Sequence, residues 1–97
     1  MRIKPRRKQS RIHLALVAAL PCIVCGARPV EVHHIRNGYG MGQRASDLET
    51  LALCAAHHRT GPDAFHAGPR TFEARFGAER ELLARTLTEL GINGAAA

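Results

Sequence analysis

The sequence lacks tryptophan and has few other large aromatic side chains, which limits the hydrophobic core that it can build. Its 97 residues include 3 phenylalanines and 1 tyrosine, and much of the 45% hydrophobic content is alanine. Alanine buries little apolar area, so core packing alone leaves a domain of this size a small margin of stability. The composition therefore predicts one domain that needs an additional cross-link, such as a metal ion.

Cysteine is also scarce, and the odd number of 3 cysteines argues against a closed framework of disulfides. The sequence shows no secretory signal, and its apolar stretch over 14–20 is too short to span a bilayer. These features predict a cytoplasmic protein with no membrane partner. In a reducing cytoplasm, closely spaced cysteines are more often metal ligands than disulfides.

Acidic residues are few relative to basic ones, with 8 Asp+Glu against 14 Lys+Arg and a formal net charge of +6. Such an excess favours a polyanion as the partner. Several basic residues crowd the N-terminus, which predicts an arm that contacts nucleic acid, although a merely solubilising tail is the alternative. The residues of this basic cluster are Arg2, Lys4, Arg6, Arg7, Lys8 and Arg11.

The pattern along the chain predicts one α+β domain with short, irregular ends. Residues 1–9 are predicted to be a flexible basic arm, residues 10–92 a folded domain and residues 93–97 a frayed tail. Ser10 is placed to cap a first helix, and the proline that follows Leu20 is expected to stop it.

Alternating β-branched residues, and then glycines and prolines, predict a hairpin followed by helices. Two strands are expected to flank a long mobile loop, a short helix to begin near Cys54, and two more helices to close the domain. The longer predicted segments are a strand over 30–35, a loop over 36–46, a strand over 48–53 and helices over 69–76 and 78–90.

Cys22-x-x-Cys25 and Cys54-x-x-His57 form two half-sites of the kind that together bind tetrahedral zinc. A site of this kind would clamp the two strands side by side and contribute much of the folding free energy. The alternative is a redox Cys-x-x-Cys pair with Cys54 as a buried apolar residue, which gives His57 no role. His58 also lies one helical turn from Cys54, so the sequence leaves open which histidine completes the site.

Further motifs follow the first half-site in a fixed order. They are His33-His34-Ile35-Arg36, Ser46-Asp47-Leu48, Leu53-Cys54-Ala-Ala-His57-His58, His66-x-Gly68 and Thr71-Phe72-Glu73. With the cysteine pair, they resemble the HNH (ββα-metal, His-Me finger) endonuclease superfamily, and most of all the phage recombination-enhancement (Ref-like) nucleases, over about residues 11–77. The resemblance implies a small zinc-stabilised ββα-metal core with an N-terminal helix and C-terminal helices.

The resemblance also implies a role for each motif residue in metal-dependent nicking of DNA. His34 corresponds to the general base that activates water, and Asp47 stands where the family has asparagine. Asp47 can still accept Nδ1–H of His34 and leave Nε2 facing water, although it cannot donate an amide N–H. His33, His58 and His66 correspond to the ligands of a single catalytic divalent ion.

The sequence leaves open the identity of the ion and of the substrate. Nitrogen ligands suit Zn²⁺, Mn²⁺ or Ni²⁺, whereas oxygen atoms from phosphate and water leave Mg²⁺ as a further option. Arg36 and Arg44 are candidate phosphate contacts, or else ordinary solvated surface. The resemblance implies phage or prophage recombination or DNA processing, with duplex, single-stranded or branched DNA as substrate and a recombinase filament as a candidate partner. The alternative function is a zinc-stabilised nucleic-acid-binding module without a catalytic centre.

Overall fold

The computed structural model describes residues 5–92 of the 97-residue chain and has the predicted α+β class. Its elements are α1 (Arg7–Ala18), β1 (Glu31–His34), β2 (Thr50–Leu53), a π-helical turn (Ala56–Thr60), α2 (Pro69–Phe76) and α3 (Glu79–Glu89). The predicted tail over 93–97, and Arg2 and Lys4 of the predicted arm, lie outside the described residues. Within 5–92, no helix is long and apolar enough to cross a membrane.

The two strands form an antiparallel hairpin at the centre of the domain. His33 pairs with Leu51 and His34 pairs with Thr50, and all four residues of β2 are buried. Because side chains alternate along a strand, the two neighbouring histidines point to opposite faces of the sheet. Only 3% of His33 is exposed, whereas His34 is half-buried.

Helix α1 begins earlier than the sequence predicts. Arg7 and Lys8 lie in its first turn instead of in a flexible arm, and Arg6 is the residue that precedes the helix. Ser10 is not the cap, because its backbone N–H donates to the carbonyl of Arg6 at 2.9 Å and so already belongs to the helix. Arginine, lysine and glutamine are good helix formers, which explains why the helix extends into this charged segment.

Apolar spacing predicts that Ile12, Leu16 and Val17 of α1 pack inward, but of these three only Val17 is buried. Val17 is fully buried, but Ile12 and Leu16 are 52% and 46% exposed. His13 is buried instead, and its Nε2 has no hydrogen-bond partner among residues 5–92. Burial lowers the pKa of His13, because the charged imidazolium would lose its hydration there.

The core lies between the hairpin and the two C-terminal helices. Phe72 and Phe76 share one face of α2, as their spacing predicts, and their ring centroids lie 5.1 Å apart. The largest fully buried side chains are Phe72, Ile35, Leu51, Leu53, Leu82, Val17, Thr50 and Thr86. This small core is consistent with a domain that depends on further stabilisation.

The segment between the strands is attached to α3 at both ends, although the sequence predicts a mobile loop. At its start, the backbone N–H of Arg36 donates to the carboxylate of Glu79 at 2.9 Å. At its end, Glu49 accepts hydrogen bonds from the Tyr39 hydroxyl and from the Arg80 guanidinium. These contacts hold the two ends of the loop in place beside the histidines of β1.

Candidate metal centres

Three cysteines and one histidine converge where the turn after α1 meets the residues that follow β2. The sulfur atoms of Cys22, Cys25 and Cys54 and one ring nitrogen of His57 all lie within 4.8 Å of one another. Cys25 Sγ is 3.7 Å from Cys54 Sγ, and His57 Nδ1 is 3.3 Å from the same sulfur. This Cys₃His cluster could hold a metal ion, and it groups His57 with the cysteines and not His58.

Local backbone geometry explains how each half-site points its ligands inward. Gly26 has φ +79° and donates its N–H to the carbonyl of Cys22 at 2.8 Å, which closes the turn between the first two cysteines. After β2, the N–H groups of His57 and His58 both donate to the carbonyl of Cys54, at 3.1 and 2.8 Å. The chain therefore turns at Cys54, so that the ring of His57 lies with the cysteines and the ring of His58 lies with His33 and His66.

The sulfur atoms of this cluster differ in how readily they lose a proton. Burial alone would raise the pKa of Cys22, but backbone N–H groups of Cys54, Cys25 and Val24 donate to its sulfur and lower the pKa overall. The N–H of Ala27 favours the Cys25 thiolate, yet burial and the neighbouring sulfur atoms outweigh it and raise the pKa of Cys25. A bound cation would remove this conflict between adjacent thiolates.

A second cluster consists of His33, His58 and His66, each with one ring nitrogen within 4.8 Å of the others. The Nε2 atoms of His58 and His66 are 3.1 Å apart. The ring centroid of His33 lies 5.2 Å from that of His58 and 5.4 Å from that of His66. Burial, followed by the neighbouring His58 and His33, lowers the pKa of His66 and so favours the neutral ring that a metal needs. His66 is exposed, so this histidine cluster is open to solvent on one side.

A close turn brings His66 back to the cluster. The N–H of His66 donates to the carbonyl of His58 at 3.0 Å, after the chain reverses at Gly61. A Cβ atom on Gly61 would lie 2.4 Å from the carbonyl oxygen of Ala56, so only glycine allows this approach. The eight-residue step from His58 to His66 therefore closes through a turn that glycine makes possible.

Two carboxylates hold the outer nitrogens of this histidine cluster. Glu79 Oε2 lies 2.7 Å from His33 Nε2, and Glu31 Oε1 lies 2.7 Å from His58 Nδ1. A carboxylate in this position orients the ring and directs its other nitrogen toward a metal. His33 Nδ1 and His58 Nε2 are therefore the nitrogens available to a cation. From the sequence alone, neither glutamate stands out as part of a site.

Both carboxylates are held in the charged form. Burial would raise the pKa of Glu79, but hydrogen bonds from His33 and from two backbone N–H groups of the loop outweigh it and lower the pKa. Hydrogen bonds from Arg59 and then His58 lower the pKa of Glu31 to about 2. Two fixed negative charges therefore lie behind the histidines at neutral pH, which favours a cation in front of them.

His34 has a different set of partners on the opposite face of β1. Its Nε2 lies 2.7 Å from Asp47 Oδ1 and 3.2 Å from Arg44 Nη2. The hydrogen bond from His34 lowers the pKa of Asp47 against the opposing effect of burial. Within the described residues, no hydrogen bond, ion pair or ring contact joins His34 to the three histidines of the other cluster.

The contact with Asp47 corrects one detail of the predicted site. The sequence predicts that Asp47 holds Nδ1 of His34, whereas the structure places the carboxylate at Nε2. Asp47 lies in the turn before β2, where its backbone carbonyl accepts the Thr50 hydroxyl, and from there its side chain reaches the outer edge of the ring. Nδ1 is therefore the nitrogen that can accept a proton.

The basic residues predicted to contact nucleic acid are exposed wherever the structure describes them. They are Arg6, Arg7, Lys8, Arg11, Arg36 and Arg44. Arg44 contacts the His34–Asp47 pair, with 3.9 Å between its Nη2 and Asp47 Oδ1. The positive charge of Arg36 contributes to the lowered pKa of His66, after burial and the other histidines. Two of these arginines thus lie next to the histidines, whereas the other basic residues lie on α1 or directly before it.

Comparison with known proteins places the whole described domain in one family. Residues 1–93 match the family model described as "Protein of unknown function (DUF968)". The uncharacterized protein YdfU of Escherichia coli (strain K12) is 36% identical over 84 residues. That match covers 84% of this chain and 23% of YdfU, so the chain spans about a quarter of the length of this relative. The chain belongs to the DUF968 family.

Proposed function

We propose that the protein is a metal-dependent endonuclease of the HNH type that hydrolyses one strand of DNA. The observation that carries this proposal is the cluster of three histidines, two of which are hydrogen-bonded to carboxylates. A fourth histidine, His34, directly follows His33 in the sequence and is held by Asp47. A protein that only binds nucleic acid has no need for such an arrangement. We further propose that the α+β fold is an HNH fold with a structural zinc site.

The Cys₃His cluster fits a structural zinc ion. Zinc favours four sulfur and nitrogen ligands in a tetrahedron, and structural sites leave no position open. Cys22 and Cys54 are buried, which suits a site without access for substrate. The cluster joins the turn after α1 to the end of β2, so an ion there would hold the hairpin against α1.

The histidine cluster fits a catalytic divalent ion. Catalytic sites typically have three protein ligands and keep further positions for water or substrate, and here His33, His58 and His66 supply the three. Their nitrogen atoms suit Zn²⁺, Mn²⁺ or Ni²⁺, and oxygen atoms of the substrate leave Mg²⁺ as a further candidate. Such an ion, when bound, would neutralise the negative charge that develops on the phosphate during hydrolysis.

We propose His34 as the general base. Its Nδ1 accepts a proton from water as the water oxygen forms a bond to phosphorus, and the bond from phosphorus to the 3′-oxygen breaks. The leaving oxygen takes a proton from solvent, which gives 3′-hydroxyl and 5′-phosphate ends. Asp47 accepts Nε2–H of His34, so it fixes the tautomer and stabilises the imidazolium that forms. Arg44 lies next to this pair and is a candidate contact for a substrate phosphate.

The substrate proposed here is DNA, because the chain carries a net charge of +6 and exposed basic side chains near the histidines and on α1. Phosphate contacts of this kind position a nucleic acid without reading its sequence. We propose a cytoplasmic role in phage or prophage recombination or DNA processing, with a recombinase filament as candidate partner. Both rest on the Ref-like resemblance.

Nicking of supercoiled plasmid tests the proposed activity. We expect zinc-loaded protein to convert supercoiled plasmid to open circles when Mg²⁺, Mn²⁺, Ni²⁺ or additional Zn²⁺ is present. A His58→Ala variant should cut at least about 100-fold more slowly, because it loses a metal ligand. A folded, zinc-loaded wild type that binds DNA and cuts none would favour the alternative, a zinc-stabilised nucleic-acid-binding module.

Removal of the carboxylate that contacts His33 should weaken the binding of the catalytic ion without removing any of its ligands. We expect Glu79→Gln to lower the affinity of the zinc-loaded protein for Mn²⁺ or Ni²⁺ by about 10–100-fold, measured by calorimetric titration. Glu81→Gln is the matched control, since Glu81 is an exposed residue of the same helix. Equal affinity in Glu79→Gln and wild type would show that Glu79 serves only to anchor the loop.

A further inference from the structure

A cavity of about 330 Å³ opens next to the histidine cluster, on the side of His66. His66 belongs to both the cavity and the cluster, and Glu79, which also lines the cavity, contacts His33 of the cluster. Cavities that bind small molecules range from about 300 to 1,000 Å³, so this one is small and has room for a single nucleotide unit but not for a base pair. Its position means that a group bound there would be the immediate neighbour of a phosphate at the histidines.

Three polar side chains around this cavity make no hydrogen bond or ion pair within residues 5–92. They are the guanidinium of Arg36, the amide of Asn37 and the carboxylate of Glu73. Arg36 and Asn37 use their backbone N–H groups to bind Glu79, which fixes where their side chains start while leaving those side chains uncommitted. The cavity thus offers a cation, an amide that can donate and accept, and a carboxylate that accepts.

Apart from these three side chains, His66 and Glu79, the lining of the cavity is apolar. It includes Pro69, which is exposed, and the rings of Phe65 and Phe72, which are 5% and 0% exposed and pack edge to face with centroids 5.5 Å apart. A nucleobase matches such a combination, because its faces are apolar and its edge carries hydrogen-bonding groups. Proteins that recognise unpaired bases use aromatic contacts for the faces and polar side chains for the edge.

We infer that this cavity binds one unpaired nucleoside adjacent to the cleaved phosphate, with Asn37 and Glu73 on the edge of its base and Arg36 on a flanking phosphate. This inference rests on the proposed nuclease function and narrows its substrate class. A base that is paired in a duplex cannot enter the cavity, so the favoured substrate is single-stranded DNA or DNA with an unpaired nucleotide at the cut.

The charge of Glu73 further predicts which bases are favoured. A carboxylate only accepts hydrogen bonds, so it favours cytosine, adenine and guanine, whose edges carry an exocyclic amino group. Thymine presents carbonyl oxygens at the corresponding positions, which repel a carboxylate. We therefore expect discrimination against thymine at one position beside the cut.

A map of cleavage positions on a single-stranded DNA library of random sequence tests this inference. Wild type should disfavour thymine at one position next to the cut by about tenfold, and Glu73→Gln should reduce that preference to about twofold or less. Asn37→Ala should also weaken it. Glu89→Gln, an exposed residue of α3 away from the cavity, is the matched control and should keep the wild-type profile. Identical profiles for wild type and Glu73→Gln would overturn the inference.

Nucleotide binding separates a failure of this site from a failure of the nuclease. We expect dCMP to shift the amide resonances of Asn37 and Glu73 in zinc-loaded protein at about tenfold lower concentration than dTMP, and Glu73→Gln to remove that difference. If dCMP binds in this way but no DNA is cut, only the nuclease proposal fails. If DNA is cut while neither nucleotide shifts resonances around the cavity, the cavity does not bind a nucleoside.

Discussion

A Cys25→Ala variant is expected to be largely unfolded at room temperature, although Cys25 is exposed and contributes little to the core. The reason is that the variant loses one of the four proposed zinc ligands. Zinc binding in small metal-stabilised domains contributes about 10–16 kcal/mol, whereas whole domains are stable by only about 5–15 kcal/mol. Loss of even part of the metal contribution therefore exceeds what this small core can supply. Far-UV circular dichroism together with the zinc content of the purified protein measures the effect.

The exposure of Cys25 makes this variant informative, because its alanine substitution leaves no large cavity in the core. Ala27→Ser is the matched control in the same turn, and it should keep both the zinc and the melting temperature of the wild type. A strong chelator added to wild type should reproduce the unfolded state of Cys25→Ala. A folded Cys25→Ala domain that melts within a few degrees of wild type would contradict the structural zinc site.

A His34→Ala variant is expected to lose plasmid nicking by a factor of about 10² to 10⁴, since general bases contribute rate enhancements of that size. His34 is half-buried and separate from both metal clusters, so its removal should leave zinc content, melting temperature and DNA affinity nearly unchanged. Nicking rates, electrophoretic mobility shifts and thermal melts of the same preparation measure the three properties together.

Asp47 variants test how His34 is held. Asp47→Asn keeps an oxygen that can accept Nε2–H, so it should retain activity within about tenfold of wild type, whereas Asp47→Ala should lose substantially more. Gln43→Ala, in the loop beside Arg44, is the matched control and should nick as fast as wild type.

Nicking by His34→Ala at the wild-type rate would rule out His34 as the base.

Segments with clear end signals were predictable from the sequence. Helix α2 begins at Pro69 and ends at Phe76, as predicted, because proline suits the first helical turn and Gly77 terminates it with φ +108°. The two strands are shorter than predicted, yet both form. The start of α1 was not predictable from apolar periodicity, because Arg7 and Lys8 join the helix through their propensity and not through burial.

The choice between His57 and His58 shows what only tertiary structure resolves. Both histidines lie one turn from Cys54, so spacing alone treats them alike. In the structure the π-helical turn separates them: the ring of His57 packs 5.1 Å from that of Phe76 beside the cysteines, whereas His58 faces His33. The resemblance implied this assignment, but helical spacing did not establish it.

The two carboxylates that contact the histidines could not be predicted from sequence motifs. Glu79 lies 46 residues after His33, and Glu31 lies 27 residues before His58. Their contacts depend on how α3 and the π-helical turn pack against β1, and no local pattern encodes that packing. Glutamates of this kind are abundant on helices, so only their distances to the histidines identify them.

The most direct test of the proposed function is plasmid nicking before and after mild chelation. An ion in the Cys₃His cluster would have four protein ligands, whereas an ion in the more open histidine cluster would have three, so a mild chelator should remove the second ion first. We predict that nicking then stops while the fold and the thiolate-bound zinc remain, and that it returns when Mn²⁺ or Mg²⁺ is added. A folded, zinc-loaded protein that nicks neither duplex nor single-stranded DNA with any of these ions would contradict the assignment as a nuclease.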